Sequence, residues 1–287
     1  MPPLLDAHCH LQDAWFSPHR SRLLADLRAA GITRLVVNGT SEADWPDVTA
    51  LCASVSPSPQ LVPSYGLHPW DVGNRSPTWL TTLRATLDAH PHAALGEIGL
   101  DRWILDSARP DDPRLAGLRR APIEEQIEVF VAQLSLGAER NLPTSIHCLE
   151  AFGPLYDTLR TTPLPARGFL LHAYNGSTQL AKSFADLGAH FSFNGAFLDP
   201  RKERLRALYT MLPADRILVE TDAPAMRLPP AREKFPPLTT PDGAVANHPA
   251  NLAVTYAALA ELRGVSLDTF ATQVSANFAR LFGSENT

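Results

Sequence analysis

The stretch "LLDAHCHL", residues 4–11, is an apolar run that contains two histidines two positions apart. In a β-strand alternate side chains share a face, so His8 and His10 point the same way. Neutral imidazole is the commonest protein ligand for metal ions, and two imidazoles on one strand are already spaced for one ion. The stretch therefore predicts a buried strand that carries a metal-binding pair, although such a pair also occurs by chance on a polar strand face.

Apolar, β-prone runs alternate with amphipathic helical stretches along the rest of the chain. Further strands are predicted at residues 34–40, 61–69, 93–101, 143–148, 168–175, 190–196 and 217–224, and helices at residues 19–31, 76–90, 121–141 and 177–189. Alternation of this kind implies parallel strands joined by right-handed crossovers. Eight such units in 287 residues predict an α/β fold of the closed TIM (β/α)₈ barrel class, rather than an open sheet. We find no GxGxxG fingerprint, no internal repeat and no linker, so we expect a single domain over residues 1–287.

Composition restricts the class of protein. Hydrophobic residues make up 45% of the chain and charged residues 19%, as in ordinary globular proteins. The formal charge of −5 gives no overall attraction to nucleic acid or to an anionic membrane, so nucleic-acid binding would need a local patch. Three cysteines without CxxC spacing indicate a reducing compartment, and no apolar run approaches the ~18 residues of a membrane span. We expect a cytoplasmic protein without a membrane partner or an obligatory protein partner.

Polar residues interrupt four of the later strands, which would deliver them into the mouth of a barrel, where its active site lies. They are Glu97 in the fourth strand, His147 in the fifth, His172 in the sixth and Asp222 in the eighth. A buried carboxylate is costly unless it is paired or bound to a metal. With the two histidines of the first strand these residues give six ligands, which suit two divalent ions that share one bridging carboxylate. The bridge falls to Glu97, because its strand lies between the first and the fifth.

Two ions held in this way stabilise the attacking and leaving oxygens of a phosphoryl displacement. Nitrogen and oxygen ligands accept Zn²⁺, Mn²⁺, Co²⁺ or Mg²⁺. The donor pattern therefore predicts a hydrolase that depends on two divalent metal ions.

An ordered set of motifs runs through nearly the whole chain: "DAHCHL", "VVNGT", "GLHPW", "GEIGLD", "LPTSIHC", "LHAYNGS", "FSFNG", "ETDAP" and "NFARLFG". In these motifs the sequence resembles the TatD-type metal-dependent deoxyribonucleases, a family of amidohydrolase-like barrels. The resemblance implies a first metal bound by His8, His10, Glu97 and Asp222, and a second bound by Glu97, His147 and His172. It also implies that Asp222 acts on the attacking water, that Glu97 serves catalysis as the bridge, and that His68 faces the substrate phosphate. The substrate implied is DNA or RNA.

The sequence departs from the family pattern near its end, where "ANHPANL" places His248 at the position of an acid. This histidine either contacts the substrate or packs within its loop. Two long loops, 102–121 and 225–248, follow the ends of the fourth and eighth strands. The first carries five arginines against three aspartates, and the second carries three basic residues against two acidic ones, including Asp242. This mild basic rim suits a phosphodiester but is also typical of solvated loops. Trp70 and Trp103 follow strands at the same face, where they either stack on a base or cover the rim.

Three functions are compatible with these features. The first is a two-metal phosphodiesterase that acts on DNA. The second is a small-molecule amidohydrolase or lactonase that uses the same metals, and the third is a degenerate barrel that binds a partner. A barrel that only binds a partner through its surface does not need a complete set of buried acids and imidazoles, which argues against the third function. The fourth strand has no lysine for carboxylation, which favours Glu97 as the bridge and, through the resemblance, the nuclease.

Overall fold

The computed structural model describes residues 2–55, 58–239 and 243–284. Eight parallel strands pair in sequence order from β1 to β8. They are β1 (Leu4–Cys9), β2 (Ile32–Asn38), β3 (Gln60–Tyr65), β4 (Ala94–Asp101), β5 (Thr144–Leu149), β6 (Phe169–Leu171), β7 (Ala189–Asn194) and β8 (Ile217–Glu220). The sheet closes just beyond β8, where the backbone N–H of Asp222 donates to the carbonyl of His8 at 2.9 Å and that of His10 donates to Ala223 at 2.8 Å. The predicted TIM (β/α)₈ barrel is confirmed.

Helices surround this barrel: α1 (Arg20–Ala29), α2 (Trp45–Ser54), α3 (Trp79–Ala89), α4 (Trp103–Asp106), α5 (Ile123–Arg140), α6 (Phe152–Thr161), α7 (Thr178–Asp186), α8 (Glu203–Met211), α9 (Leu252–Leu262) and α10 (Leu267–Phe282). Leu23 and Leu27, one helical turn apart, form the buried face of α1. Gly31, with φ +77°, and Asn141, with φ 49°, take the left-handed conformation that ends α1 and α5. The four predicted helices therefore lie where the leucine spacing and the stop residues indicate.

The strands are buried on both faces. Every residue of β1, β4 and β7 is buried, as expected for parallel strands that pack against side chains of the barrel interior on one face and against helices on the other. A polar side chain on such a strand is therefore held away from water, and it needs a partner inside the barrel.

Several predicted strands were too long at their C-terminal ends. The runs 4–11, 168–175 and 217–224 leave strand conformation after Cys9, Leu171 and Glu220. The backbone turns at Ala173, with φ 42°, and at Asp222, with φ 51°. Non-glycine residues rarely take a positive φ, so nothing in the hydrophobic pattern predicts these turns. They place His172 and Asp222 just beyond the strands instead of inside them.

The two long loops contain short ordered elements. Loop 102–121 holds α4 and a 3₁₀ turn at Pro113–Leu115. Loop 225–248 holds a 3₁₀ turn at Pro230–Arg232 and an antiparallel pair formed by Leu238–Thr239 and Val245–Ala246. Asp242, which contributes to the charge of the second loop, lies outside the described residues. In the described part of the chain, no helix is both long and apolar enough to cross a membrane.

His190 lies near the beginning of β7, at the end of the barrel opposite the strand termini that carry the polar residues. Its ring is fully buried. Burial, together with the positive charges of Arg216 and Arg280, lowers the pKa of His190 to about 4. This histidine is therefore neutral at pH 7 and belongs to the structural core.

Candidate metal centre

Glu97 lies at the centre of a cluster of histidines within the mouth of the barrel. Its Oε2 atom lies 3.3 Å from the Nε2 atoms of both His8 and His10. Its Oε1 atom lies 3.0 Å from Nδ1 of His147 and 2.9 Å from Nε2 of His172. The two oxygens of one carboxylate therefore face two different groups of nitrogen donors.

The first group consists of His8, His10 and Asp222. His8 lies in β1 and His10 directly follows its last residue, Cys9, and their Nε2 atoms lie 3.2 Å apart in the mouth of the barrel. Asp222 Oδ1 lies 3.4 Å from Nε2 of His10 and 3.7 Å from Nε2 of His8. Asp6 fixes this junction, because its buried carboxylate accepts hydrogen bonds from the backbone N–H groups of His8 and Thr221. Strands β1 and β8 are thereby held in the register that brings the three donors together.

The second group consists of His147, His172 and His68. Nδ1 of His147 and Nε2 of His172 are 3.2 Å apart, and both face Oε1 of Glu97. His68 follows β3, and its Nε2 atom lies 3.5 Å from the same oxygen. All six residues expected as ligands, and the histidine expected at the substrate, thus converge at one end of the barrel.

The imidazoles also contact partners through the ring nitrogen that faces away from Glu97. Such a partner fixes the tautomer and the orientation of a ligating ring. The contacts are His8 Nδ1 to Ser145 Oγ at 2.9 Å, His10 Nδ1 to the Asn38 carbonyl at 2.8 Å, His147 Nε2 to Asp101 Oδ2 at 3.1 Å, and His172 Nδ1 to Glu220 Oε1 at 3.6 Å.

Sequence reasoning assigned no role to Asp101 or Glu220. Both are fully buried acids near the C-terminal ends of apolar strands, and both stand in quoted motifs, "GEIGLD" and "ETDAP". The criterion that identified Glu97 and Asp222, a carboxylate that interrupts an apolar strand, would have identified these two residues as well. It would not have separated a carboxylate at the centre of the cluster from one that contacts the outer nitrogen of a histidine.

Charge is balanced within the cluster by shifts in pKa. Burial alone would raise the pKa of Glu97, but the histidines around it, chiefly His172, His68 and His8, hold that pKa well below its usual value. Burial alone would lower the pKa values of His10, His147 and His172, yet the neighbouring carboxylates raise all three, that of His147 to about 9. In the absence of a metal, protons on these rings therefore neutralise the carboxylates.

The donors fit a divalent cation in number and in kind. Among the described residues, three sets of donor atoms lie within 4.8 Å of one another: His8, His10 and Glu97; His68, Glu97 and His147; His8, His172 and Glu220. Glu97 is shared by the first two sets. Imidazole nitrogens and carboxylate oxygens that share protons at neutral pH are a suitable site for a cation, which would replace those protons.

His248 is separate from this cluster. Its Nδ1 atom accepts a hydrogen bond from the backbone N–H of Ala250, its Nε2 atom lies 3.3 Å from Asp26 Oδ2, and its ring stacks on Phe235. Of the two roles considered for this histidine, the contacts match packing within the loop.

A closed (β/α)₈ barrel with imidazole and carboxylate donors at its C-terminal mouth is the architecture of a metal-dependent hydrolase. The sequence model of the family described as TatD related DNase matches residues 5–283. The chain belongs to this family, as the motifs indicated.

Individual relatives match along their whole length. The chain is 30% identical over 280 residues to the metal-dependent hydrolase YjjV of Escherichia coli (strain K12), and the match covers 97% of each chain. The crystal structure of YjjV superimposes with a TM-score of 0.81 over 98% of each chain. The TatD protein of Erwinia amylovora, named a 3′-5′ ssDNA/RNA exonuclease, is 29% identical over 281 residues, which cover 98% of this chain and 100% of the relative. A lactonase from Listeria monocytogenes, with 13% identity and a TM-score of 0.61 over 99% of this chain and 95% of its own, shares the fold.

Proposed function

We propose that this metal-dependent hydrolase is a nuclease that uses two divalent cations to remove nucleotides from the ends of single-stranded DNA or RNA. The observation that carries the proposal is the position of Glu97, whose two oxygens face separate donor groups 2.9–3.3 Å away. Its similarity along the whole chain to a protein named an ssDNA/RNA exonuclease supports the choice of substrate. Three free cysteines suit a reducing compartment, so we infer that the activity is cytoplasmic.

We assign the first cation to His8, His10, Glu97 and Asp222, and the second to Glu97, His147 and His172. When bound, the two cations neutralise charge on the phosphodiester and lower the pKa of the attacking water. Zn²⁺, Mn²⁺, Co²⁺ and Mg²⁺ are all compatible with these nitrogen and oxygen donors.

Asp222 is the proposed general base. Burial alone would raise the pKa of Asp222, but the hydrogen bond from His10 and the charges of His172 and His8 lower it, so the carboxylate is ionised at neutral pH. In the reaction the water oxygen bonds to phosphorus, the bond from phosphorus to the leaving sugar oxygen breaks, and the water proton passes to Asp222. The leaving oxygen takes a proton from solvent.

His68 is the proposed phosphate-binding residue, and its hydrogen bonds favour this role over metal ligation. The backbone N–H of Trp70 donates to Nδ1 of His68 at 3.2 Å. Burial lowers the pKa of His68, so the ring is neutral and carries its hydrogen on Nε2. An Nε2–H group beside Glu97 can donate to a phosphate oxygen, whereas it has no lone pair to offer a metal.

The activity can be tested directly with metal-stripped protein that is reloaded with each cation in turn. The substrates would be 5′- and 3′-labelled single-stranded DNA, duplex DNA and single-stranded RNA, together with a panel of lactones and amides. We expect single nucleotides to be released from single strands only after a metal is restored. Turnover of lactones or amides without cleavage of any nucleic acid would overturn the proposal and favour the small-molecule hydrolase.

A further inference from the structure

Two tryptophans and an arginine form a stacked group at the rim of the barrel. The rings of Trp70 and Trp103 stack with their centroids 6.0 Å apart and their planes 24° apart. The guanidinium carbon of Arg114 lies 4.6 Å from the ring centroid of Trp103 and 5.8 Å from that of Trp70. We call these three residues the aromatic platform. None of the proposed catalytic roles uses Trp103 or Arg114.

The platform adjoins the candidate metal centre. Trp70 and Arg114 line a cavity of about 660 Å³ whose wall also includes Glu97 and His147, and Trp103 packs against both Trp70 and Arg114 outside that wall. The indole N–H of Trp70 donates to Asp101 Oδ2 at 2.7 Å, and His147 contacts the same oxygen. A group that rests on the platform therefore lies next to the proposed site of phosphodiester cleavage.

Arg114 is held in place and retains free donor capacity. Its Nε and Nη2 groups donate to the two carboxylate oxygens of Asp112 at 3.0 and 2.7 Å. This pairing fixes the plane of the guanidinium against Trp103, while the Nη1 group takes no part in it. The side chain of Arg114 is 59% exposed, so Nη1 can reach a phosphate oxygen.

The charged residues that line the cavity are grouped by the strands that they follow. Arg114 is the one lysine or arginine among the described residues that line it. Asp13, which follows β1, and Asp44 and Asp47, which follow β2, also line the cavity outside the metal centre, whereas the platform residues follow β3 and β4. Because phosphates are repelled by carboxylates, a nucleic-acid strand can approach over the platform but cannot continue past these aspartates.

We propose that the aromatic platform is a subsite for an unpaired base of the strand that remains after cleavage, with Arg114 at its phosphate. The inference rests on the proposed nuclease function. Aromatic rings stack on any base and give little sequence preference. The cavity lies within the ~300–1,000 Å³ typical of small-molecule sites, so it accommodates the end of a single strand and a paired end must first unstack. The platform thereby selects single strands, and the aspartates that follow β1 and β2 restrict cleavage to chain ends.

A double-mutant cycle, with one change in the protein and one in the substrate, tests the subsite. The protein change is Trp103→Ala, and the substrate change is an abasic residue placed in turn at each of the last four positions of a single-stranded oligonucleotide. Each kcat/KM is divided by that for bis(p-nitrophenyl) phosphate, a diester without bases. This ratio removes any effect of the substitution on the metal centre.

In Trp103→Ala, kcat/KM for the oligonucleotide relative to that for bis(p-nitrophenyl) phosphate should fall by at least about fivefold, the lower end expected for the loss of one stacked base. An abasic residue at one position should cause a similar fall in the unsubstituted protein and no further fall in Trp103→Ala. Trp103→Phe, which retains a ring, should recover most of the ratio and shows whether Trp103→Ala has simply misfolded. Arg114→Gln should lower the ratio more than the matched change Arg109→Gln, since Arg109 is an exposed arginine of the same loop. Trp15→Ala, the loss of an exposed tryptophan outside the aromatic platform, is the aromatic control.

Separate outcomes overturn the two proposals. If the unsubstituted protein does not cleave oligonucleotides, the nuclease function fails and the subsite fails with it. If it does cleave them, two results refute the subsite alone. The first is an unchanged ratio in Trp103→Ala. The second is that, at every position, the abasic residue lowers the ratio by the same factor in Trp103→Ala as in the unsubstituted protein.

Discussion

The substitution Glu97→Gln tests whether one carboxylate bridges two cations. Glutamine keeps the shape of the side chain but removes its negative charge. In the structure Oε2 faces His8 and His10, while Oε1 faces His147 and His172. We therefore expect a single substitution to weaken both metal sites.

The size of the effect follows from burial. Glu97 is 3% exposed, so water cannot compensate for the lost charge. Removing one member of a buried charge pair costs about 3–5 kcal/mol. Each of the two sites should then weaken by about 3 kcal/mol, which is roughly 150-fold in Kd. His10→Ala removes a donor from one side of Glu97 only, so it should weaken one site and largely spare the other.

The assay is calorimetric titration of Zn²⁺ or Mn²⁺ into metal-stripped protein, with metal content measured after desalting. Glu220→Gln is the matched control, because Glu220 is an equally buried glutamate whose Oε1 atom lies 3.6 Å from Nδ1 of His172, on the side of that ring away from Glu97. As an outer partner of one ring, Glu220 should affect one site by about 10- to 100-fold.

Two results would contradict a bridging role for Glu97. Two ions bound with normal affinity in Glu97→Gln would exclude the bridging role. Loss of both ions in Glu220→Gln, with retention in Glu97→Gln, would move the metal to the alternative donor set of His8, His172 and Glu220.

Other predictions concern the base, the phosphate contact and acid stability. Asp222→Asn, nearly isosteric but a poor base, should lower kcat on an oligonucleotide at least ~10²-fold with metal content restored, and a near-normal kcat would exclude Asp222 as the base. His68→Ala should raise KM for DNA more than it lowers kcat and should keep both ions, whereas loss of an ion would make His68 a ligand. The free energy of unfolding, measured in urea, should fall between pH 7 and pH 5, and about 2 kcal/mol of this fall should be absent in His190→Leu. As the pH falls through the ordinary histidine pKa of 6.5, His190 gains a proton in the unfolded chain, whereas the buried ring of the folded protein, with a pKa of about 4, stays neutral. The loss of stability due to His190 therefore begins below pH 6.5 and is complete below about pH 4. An equal loss in both proteins would contradict the assignment.

The barrel could be predicted from the sequence because its signals are local. Apolar runs, helical leucine spacing and stop residues such as Gly31 each report on a few neighbouring residues, and their alternation is enough to specify the topology. The ends of the strands could not be predicted in this way. The turns at Ala173 and Asp222 require positive φ angles that only the surrounding barrel imposes, and neither residue type signals them.

The candidate site shows the same limit. His8 and His10 could be paired from their spacing alone, because alternation along one strand is a local property. The division of Glu97 between two donor groups depends on where six strands meet, and the resemblance rather than the pattern separated the expected ligands. Asp101 and Glu220 satisfied the same rule as Glu97, an acid in an apolar strand, but only their contacts show that they face the outer ring nitrogens of His147 and His172. Burial and residue type thus identify the cluster, whereas distances are needed to distinguish roles within it.

The most direct test of the account is a titration of metal against nuclease activity. Metal-stripped protein would receive increasing equivalents of Mn²⁺ or Zn²⁺ while the release of single nucleotides from a labelled single-stranded oligonucleotide is followed. We expect no release without metal, little release at one equivalent per chain, and full activity as the second equivalent binds. Full activity at one equivalent, or cleavage by the metal-free protein, would contradict this expectation.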